Sequence, residues 1–227
     1  MTRTPKISQP SAKRATRAHV DAGGEVARPV HGSGHARLRS AAEELLIERD
    51  GALDVVELAE RAGASQSLMY RYYASKGALL AAVVDAFYDR YDEAVFDVPN
   101  EPGIDWAAGV RLRLERIVVF HYADPLAPVV FGRLARTPEV AAVDADRLAR
   151  HVDAAAAQLR RGQRLGAMSP DVDAEIAGAM IIGGIHQVLS RVLARSPRPS
   201  RNRVARQLWQ LSSSALGLAT NEPPATT

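Results

Sequence analysis

The chain is expected to fold entirely as helices, about nine of them, in a small three-helix N-terminal head and a larger helical body. Three observations lead there. Apolar residues recur at intervals of three and four through most of the sequence. No segment alternates at period two with β-branched residues. Clusters of Gly, Pro and Asp separate the periodic segments at spacings suited to helix ends.

Residues 1–34 lack periodicity and hold Pro5, Pro10, Gly23, Gly24, Pro29, Gly32 and Gly34, so they read as a disordered arm. Order is expected from His35, where Leu38, Ala41, Ala42, Leu45 and Leu46 form one face of a first helix ended by Asp50-Gly51. Asp54 with Glu57 makes a capping-box-like start for a second helix with Val55, Leu58, Ala59 and Ala62 inward. Gly63 supplies a left-handed turn. A third helix spans about 65–72, and Ser75-Lys76 opens a long fourth with Leu79, Leu80, Val83, Val84, Phe87 and Tyr91 as its stripe.

Pro99, Pro102 and Gly103 punctuate the passage to the body. A fifth helix is expected over about 105–123, with Trp106, Val110, Leu114, Ile117, Val118 and Phe120 or His121 in register, and a sixth over 126–135. Thr137-Pro138-Glu139 starts a long Arg/Asp-decorated helix reaching about 165, with proline at a favoured first position. Ser169-Pro170-Asp171 is expected to start another, reaching about 194, and a last helix spans about 201–218. The expected units are an arm (1–34), a head (35–82), a body (83–220) and a frayed tail (221–227).

Composition narrows the function. The 227 residues include no cysteine, which excludes disulfides, thiolate metal sites and cysteine nucleophiles. The net charge of +3 is uneven, with 8 basic and 2 acidic residues in the first 39 against 17 of each sign after residue 78. A basic front on a neutral body suits a nucleic-acid head, though a merely solvated tail is an equal reading of charge alone. His121, His151 and His186 fall on separate helices without metal-ligand spacing, and neither a Gly-rich phosphate loop nor Gly-x-Ser-x-Gly occurs. No enzyme activity, cofactor or metal is therefore expected. The front has no apolar core of a signal peptide, and the most apolar run, 174–189, is short for a bilayer and contains Glu175, His186 and Gln187. A soluble cytoplasmic protein without a membrane partner is expected.

The segment 58–76 is the most informative. A helix stopped by Gly63, restarted at Ser65 and followed by Lys76 at the next helix is the pattern of a helix-turn-helix, whose second helix enters a DNA major groove. Ser65, Gln66, Ser67 and Leu68 lie at its start. Glutamine pairs bidentately with adenine and Leu68 suits a thymine methyl. Met69 and Tyr73 should pack inward. Lys76, at a helix N-terminus where backbone N–H groups already favour an anion, should grip a phosphate. Arg37 and Arg39, at the start of the first helix, are further phosphate candidates. Arg14 and Arg17 suit a minor-groove arm, with no contact as the competing reading.

Residues 36–84 resemble the DNA-binding domain of the TetR family of bacterial transcriptional regulators. The resemblance rests on Ala41-Ala42, Leu45, Leu58-Ala59, Gly63, Ser65, Tyr70-Arg71-Tyr72-Tyr73, Ser75-Lys76 and Leu79-Leu80. An echo of a late family helix follows in 170–177 and Gly183-Gly184-Ile185-His186. The sequence departs from the family at 49–54, where members carry Gly with an aromatic and then Thr or Ser. The resemblance implies phosphate contacts for Tyr70 and Tyr72, beside Arg71. It also implies a homodimer on a near-palindromic duplex operator, mostly as a repressor, released by a small molecule in the body. The alternative is a non-enzymatic ligand-binding or adaptor protein whose head no longer grips DNA, against which Tyr70 and Lys76 argue.

For the body, Ile176, Ala179, Met180, Gly183 and Gln187 form one apolar stripe and Val204, Leu208, Leu211, Ala215 and Leu218 another. Paired across a two-fold axis they would make a four-helix dimer interface. Burial in the subunit's own core is the competing reading. Gly183-Gly184 is expected at a close approach. His121, Phe131 and His186 are the candidate contacts for an effector, expected to be hydrophobic and neutral or weakly polar because the lining offers no concentrated charge.

Overall fold

The computed structural model describes residues 31–96, 103–134 and 136–218. Among these residues the chain is all-helical: α1 His31–Glu48, α2 Val55–Arg61, α3 Gln66–Tyr72, α4 Lys76–Val95, α5 Trp106–Ala123, α6 Ala127–Gly132, α7 Pro138–Arg164, α8 Ala174–Leu193 and α9 Arg201–Ala215. Residues 1–30 and 219–227, which include most of the expected arm and tail, lie outside the described residues. Helix α1 already includes 31–34, which the sequence pattern assigns to the arm.

The head is closed by local signals. Asp50 and Gly51 both take positive φ, and the Gly51 amide donates to the Leu46 carbonyl at 2.8 Å, ending α1. Leu53, buried in the turn where the family carries an aromatic, is the apolar anchor there. Asp54 caps α2 by accepting from the amides of Val56 and Glu57. Gly63 has φ +58, and Ser65 caps α3 through the Leu68 amide. Leu38, Leu45, Leu46, Leu58 and Met69 are fully buried between α1, α2, α3 and α4, and the core continues without a break into the body.

Helix α4 belongs to both units, so the expected boundary at 82–83 falls inside one continuous helix. Helices α7 and α8 pack along each other, α7 also lies along α4, and α9 lies on α5. Three boundaries in the body differ from expectation, one of them the end of α6, which stops at Gly132 and not near 135. Helix α8 starts at Ala174, capped by Asp173, because the Gln163 amide group donates to the carbonyls of Ser169, Pro170 and Val172 and holds those residues as a turn. Helix α9 ends at Ala215, where Gly217 at φ +65 turns the chain.

The apolar run expected to be short is a 20-residue helix, α8, long and apolar enough to cross a membrane by length and composition. In the fold it is a packing spine, with Ala177, Gly178, Ile185, Leu189 and Val192 buried against its neighbours.

Ion pairs fasten α4 to the body. Arg147 of α7, only 5% exposed, donates through Nε to Asp85 at 2.9 Å and through Nη1 to Asp92 at 2.9 Å, and it also bonds Asp89. Burial alone would lower its pKa, but the hydrogen bonds and charges of Asp85 and Asp89 raise it. Arg90 joins Glu43 of α1 at 2.7 Å to Asp124 at 3.1 Å. Asp50 pairs with Arg133, and a Cβ on Gly51 would lie 3.0 Å from the Arg133 carbonyl oxygen, so the α1–α2 turn is pressed against the body.

Candidate nucleic-acid interface and body cavity

Ser65, Gln66 and Ser67 are exposed and Leu68 is half-buried in the first turn of α3, while Met69 and Tyr73 are buried as the sequence predicts. The Ser65 hydroxyl is occupied with capping and with Ser67 Oγ at 2.9 Å. This leaves Gln66 as the freest polar side chain of that turn. Tyr70 is 51% exposed and Arg71 exposed on the same helix. Tyr72 is half-buried, edge-on to His35 at 6.1 Å, so its ring anchors the start of α1. Arg37 is exposed on α1, and Lys76 is exposed at the first residue of α4.

The start of α4 also receives a side chain from far along the sequence. The Glu139 carboxylate, from the first turn of α7, accepts from the Ser75 hydroxyl at 2.7 Å and lies against Gly77, where a Cβ would come within 2.5 Å of it. The anion position beside the α4 N-terminus is thus taken by a body carboxylate, and the Lys76 side chain is exposed beside it.

The three effector candidates do meet. Phe131 lies 4.8 Å from His121 and 4.7 Å from His186, ring to ring. The space between them is only about 30 Å³, the size of a water, so they form an aromatic core cluster with Phe87 and Tyr91. His121 is 3% exposed, its Nδ1 lies 2.7 Å from the Ile117 carbonyl oxygen, and burial pushes its pKa from 6.5 down to about 4. Since the unfolded imidazole protonates first, the stability it contributes is complete above 6.5 and is lost as pH falls toward about 4. Acidification from about pH 7 to about pH 5 should cost about 2 kcal/mol through this group. His121→Phe should flatten the fall in melting temperature over that window, and an unaltered slope would contradict the assignment.

A cavity of about 200 Å³ lies beside this cluster between α5, α7, α8 and α9. Its walls include Phe96, Leu114, Ile117, Leu159, Ile182 and Trp209. Periodicity gives no sign of it, because it arises where four helices distant in sequence fail to close. Arg113 also lines it, which corrects the expectation of a lining without concentrated charge.

The expected dimer stripes divide. Ile176 (70%), Met180 and Leu211 (66%) are exposed, with Gly183, Gln187 and Ala215 beside them. Val204 and Leu208 are each 5% exposed and belong to the subunit's own core, because α9 turns that part of its stripe inward as it packs on α5. Nothing lies within 4 Å of a Cβ built on Gly183 or Gly184, so the close approach expected there is not made within the subunit.

In the head, α2, the Gly63 turn and the exposed α3 have the arrangement of a helix-turn-helix. Residues 38–83 match the family model described as bacterial regulatory proteins, tetR family. Solved structures share the fold over most of the chain. A TetR-like transcriptional regulator from Rhodococcus sp. RHA1 is 22% identical with TM-score 0.61, covering 84% of this chain and 99% of that one. FadR from Bacillus subtilis, in complex with stearoyl-CoA, is 17% identical with TM-score 0.64, covering 79% and 98%. NalD, the secondary repressor of the MexAB-OprM multidrug efflux pump in Pseudomonas aeruginosa, is 15% identical with TM-score 0.64, covering 84% and 100%. No curated protein sequence matches the chain. The match to the family model is confined to the head, and the solved regulators share the fold of head and body.

Proposed function

We propose that the protein is a homodimeric, non-catalytic cytoplasmic repressor that binds a near-palindromic operator and leaves it when a small, largely hydrophobic effector occupies the 200 Å³ cavity. The observation that carries this reading is the position of α4. Its first residue, Lys76, is exposed shortly after α3 ends at Tyr72, and its far end supplies Asp92 to the α7 clamp one turn before the cavity-lining Phe96. A shift of α4 would move the head. An effector releases DNA only by binding one head spacing more tightly than the other. That NalD is a repressor and FadR holds stearoyl-CoA supports a regulator with a ligand-binding body. The adaptor reading is disfavoured by the exposure of Tyr70 and Lys76.

Contacts divide into positioning and reading. Lys76→Ala should weaken binding to all duplexes by about tenfold and reduce its salt dependence. Gln66→Ala should instead relax preference at one base position in each half-site. Fluorescence anisotropy on a panel of single-base operator variants separates the two. Equal weakening by both variants, with base preference intact, would refute the division of roles.

A further inference from the structure

We infer that the cavity between α5, α7, α8 and α9 takes an anionic amphiphile, a compact apolar body ending in one carboxylate that pairs with Arg113. The inference deepens the effector reading above and rests on it.

Arg113 lies mid-helix on α5, half-buried in the cavity wall. Its Nε is buried without a hydrogen-bond partner, the one such side-chain atom among the described residues. Among those residues no carboxylate comes within ion-pair distance of the guanidinium, whose carbon lies over the Phe96 ring, 5.9 Å from its centroid. A half-buried guanidinium whose buried Nε–H has no acceptor loses solvation at that donor without replacement, which is costly unless a ligand completes it. Burial is the first cause lowering its pKa, and the nearby charges of Arg116 and Arg161 lower it further, so the local field is positive. That field rewards an anion. A carboxylate suits a guanidinium fork through paired N–H donors.

The remaining wall is apolar apart from neutral groups such as Gln158 and Ser212. A space of about 200 Å³ limits the body to roughly ten non-hydrogen atoms, judged against engineered cavities of about 150 Å³ that hold benzene. The ligand class is thus a medium-chain or aryl-substituted monocarboxylate. Its head on Arg113 would also press on Phe96, which stacks on His151 at 5.4 Å, and His151 Nε2 lies 2.7 Å from Asp92 of α4. That chain of contacts links the cavity to the helix that bears Lys76.

The test compares acid and amide pairs, octanoate with octanamide and 3-phenylpropionate with its amide, by calorimetry on the full chain and on Arg113→Met, which keeps an apolar stem. In the native protein the acids should bind at least tenfold more tightly than their amides. Arg113→Met should erase that difference while still binding the amides. Amides binding as tightly as acids in the native protein, or a preference that survives in Arg113→Met, would overturn the anionic head and leave the cavity reading standing. No binding of either kind would overturn both.

Discussion

Replacing Arg147 by methionine should destabilise the protein by about 3 kcal/mol, a drop of roughly 10 °C in melting temperature for a chain of this size. The guanidinium serves Asp85, Asp89 and Asp92, which occupy successive turns of one face of α4. Its removal leaves Asp85 and Asp89 without their cation and Asp92 with only the His151 ring. The loss should stay near the low end for a buried ion pair because Asp85 and Asp89 are at least half-exposed and water can take over part of their solvation. Function should change with stability. Helix α4 would be held to α7 less firmly, with the Ser75–Glu139 and His151–Asp92 contacts and apolar packing still in place, so an effector bound against α7 would lose part of its hold on the head. Arg147→Lys should recover only part of the stability, since one ammonium cannot serve three carboxylates as a planar fork does. Calorimetric melting of both variants checks this, and a methionine variant that melts with the native protein would remove the clamp from the account.

Leu211→Arg should convert the proposed dimer to a folded monomer and lower operator affinity by at least about a hundredfold, because two half-sites would no longer be held by one particle. Ile176, Met180, Leu211 and Ala215 are exposed on α8 and α9, next to the open faces of Gly183 and Gly184, and a groove runs between the two helices. A guanidinium buried there in a two-fold contact would meet its own copy across the axis. Light scattering with far-ultraviolet circular dichroism distinguishes dissociation from unfolding. A folded, fully dimeric variant would show that the interface lies elsewhere.

The head is legible in the sequence because its determinants are local. Asp54, Gly63, Ser65 and Ser75 each act on amides or turns within three residues, so their spacing alone specifies caps and breaks. The body's helices are equally legible, but not their mutual arrangement. Arg147 reads as one more charge on a solvated face, and its partners on α4 are 55 to 62 residues away. Arg113 sits in an amphipathic repeat that gives no sign of a cavity on its polar side. His121, Phe131 and His186 do lie on inward faces, yet they fill their space instead of lining an opening. Val204 and Leu208 share a stripe with Leu211, and only the packing of α9 on α5 decides where that stripe passes from core to surface.

The central claim is that two copies of the head read one duplex. Genomic fragments selected by the purified protein, followed by footprinting at single-nucleotide resolution, test it most directly. The account predicts an inverted repeat protected symmetrically on both strands, with weaker phosphate protection in Lys76→Ala and none of the footprint in Leu211→Arg. Fragments sharing no sequence, or a footprint of one half-site that Leu211→Arg leaves unchanged, would contradict it.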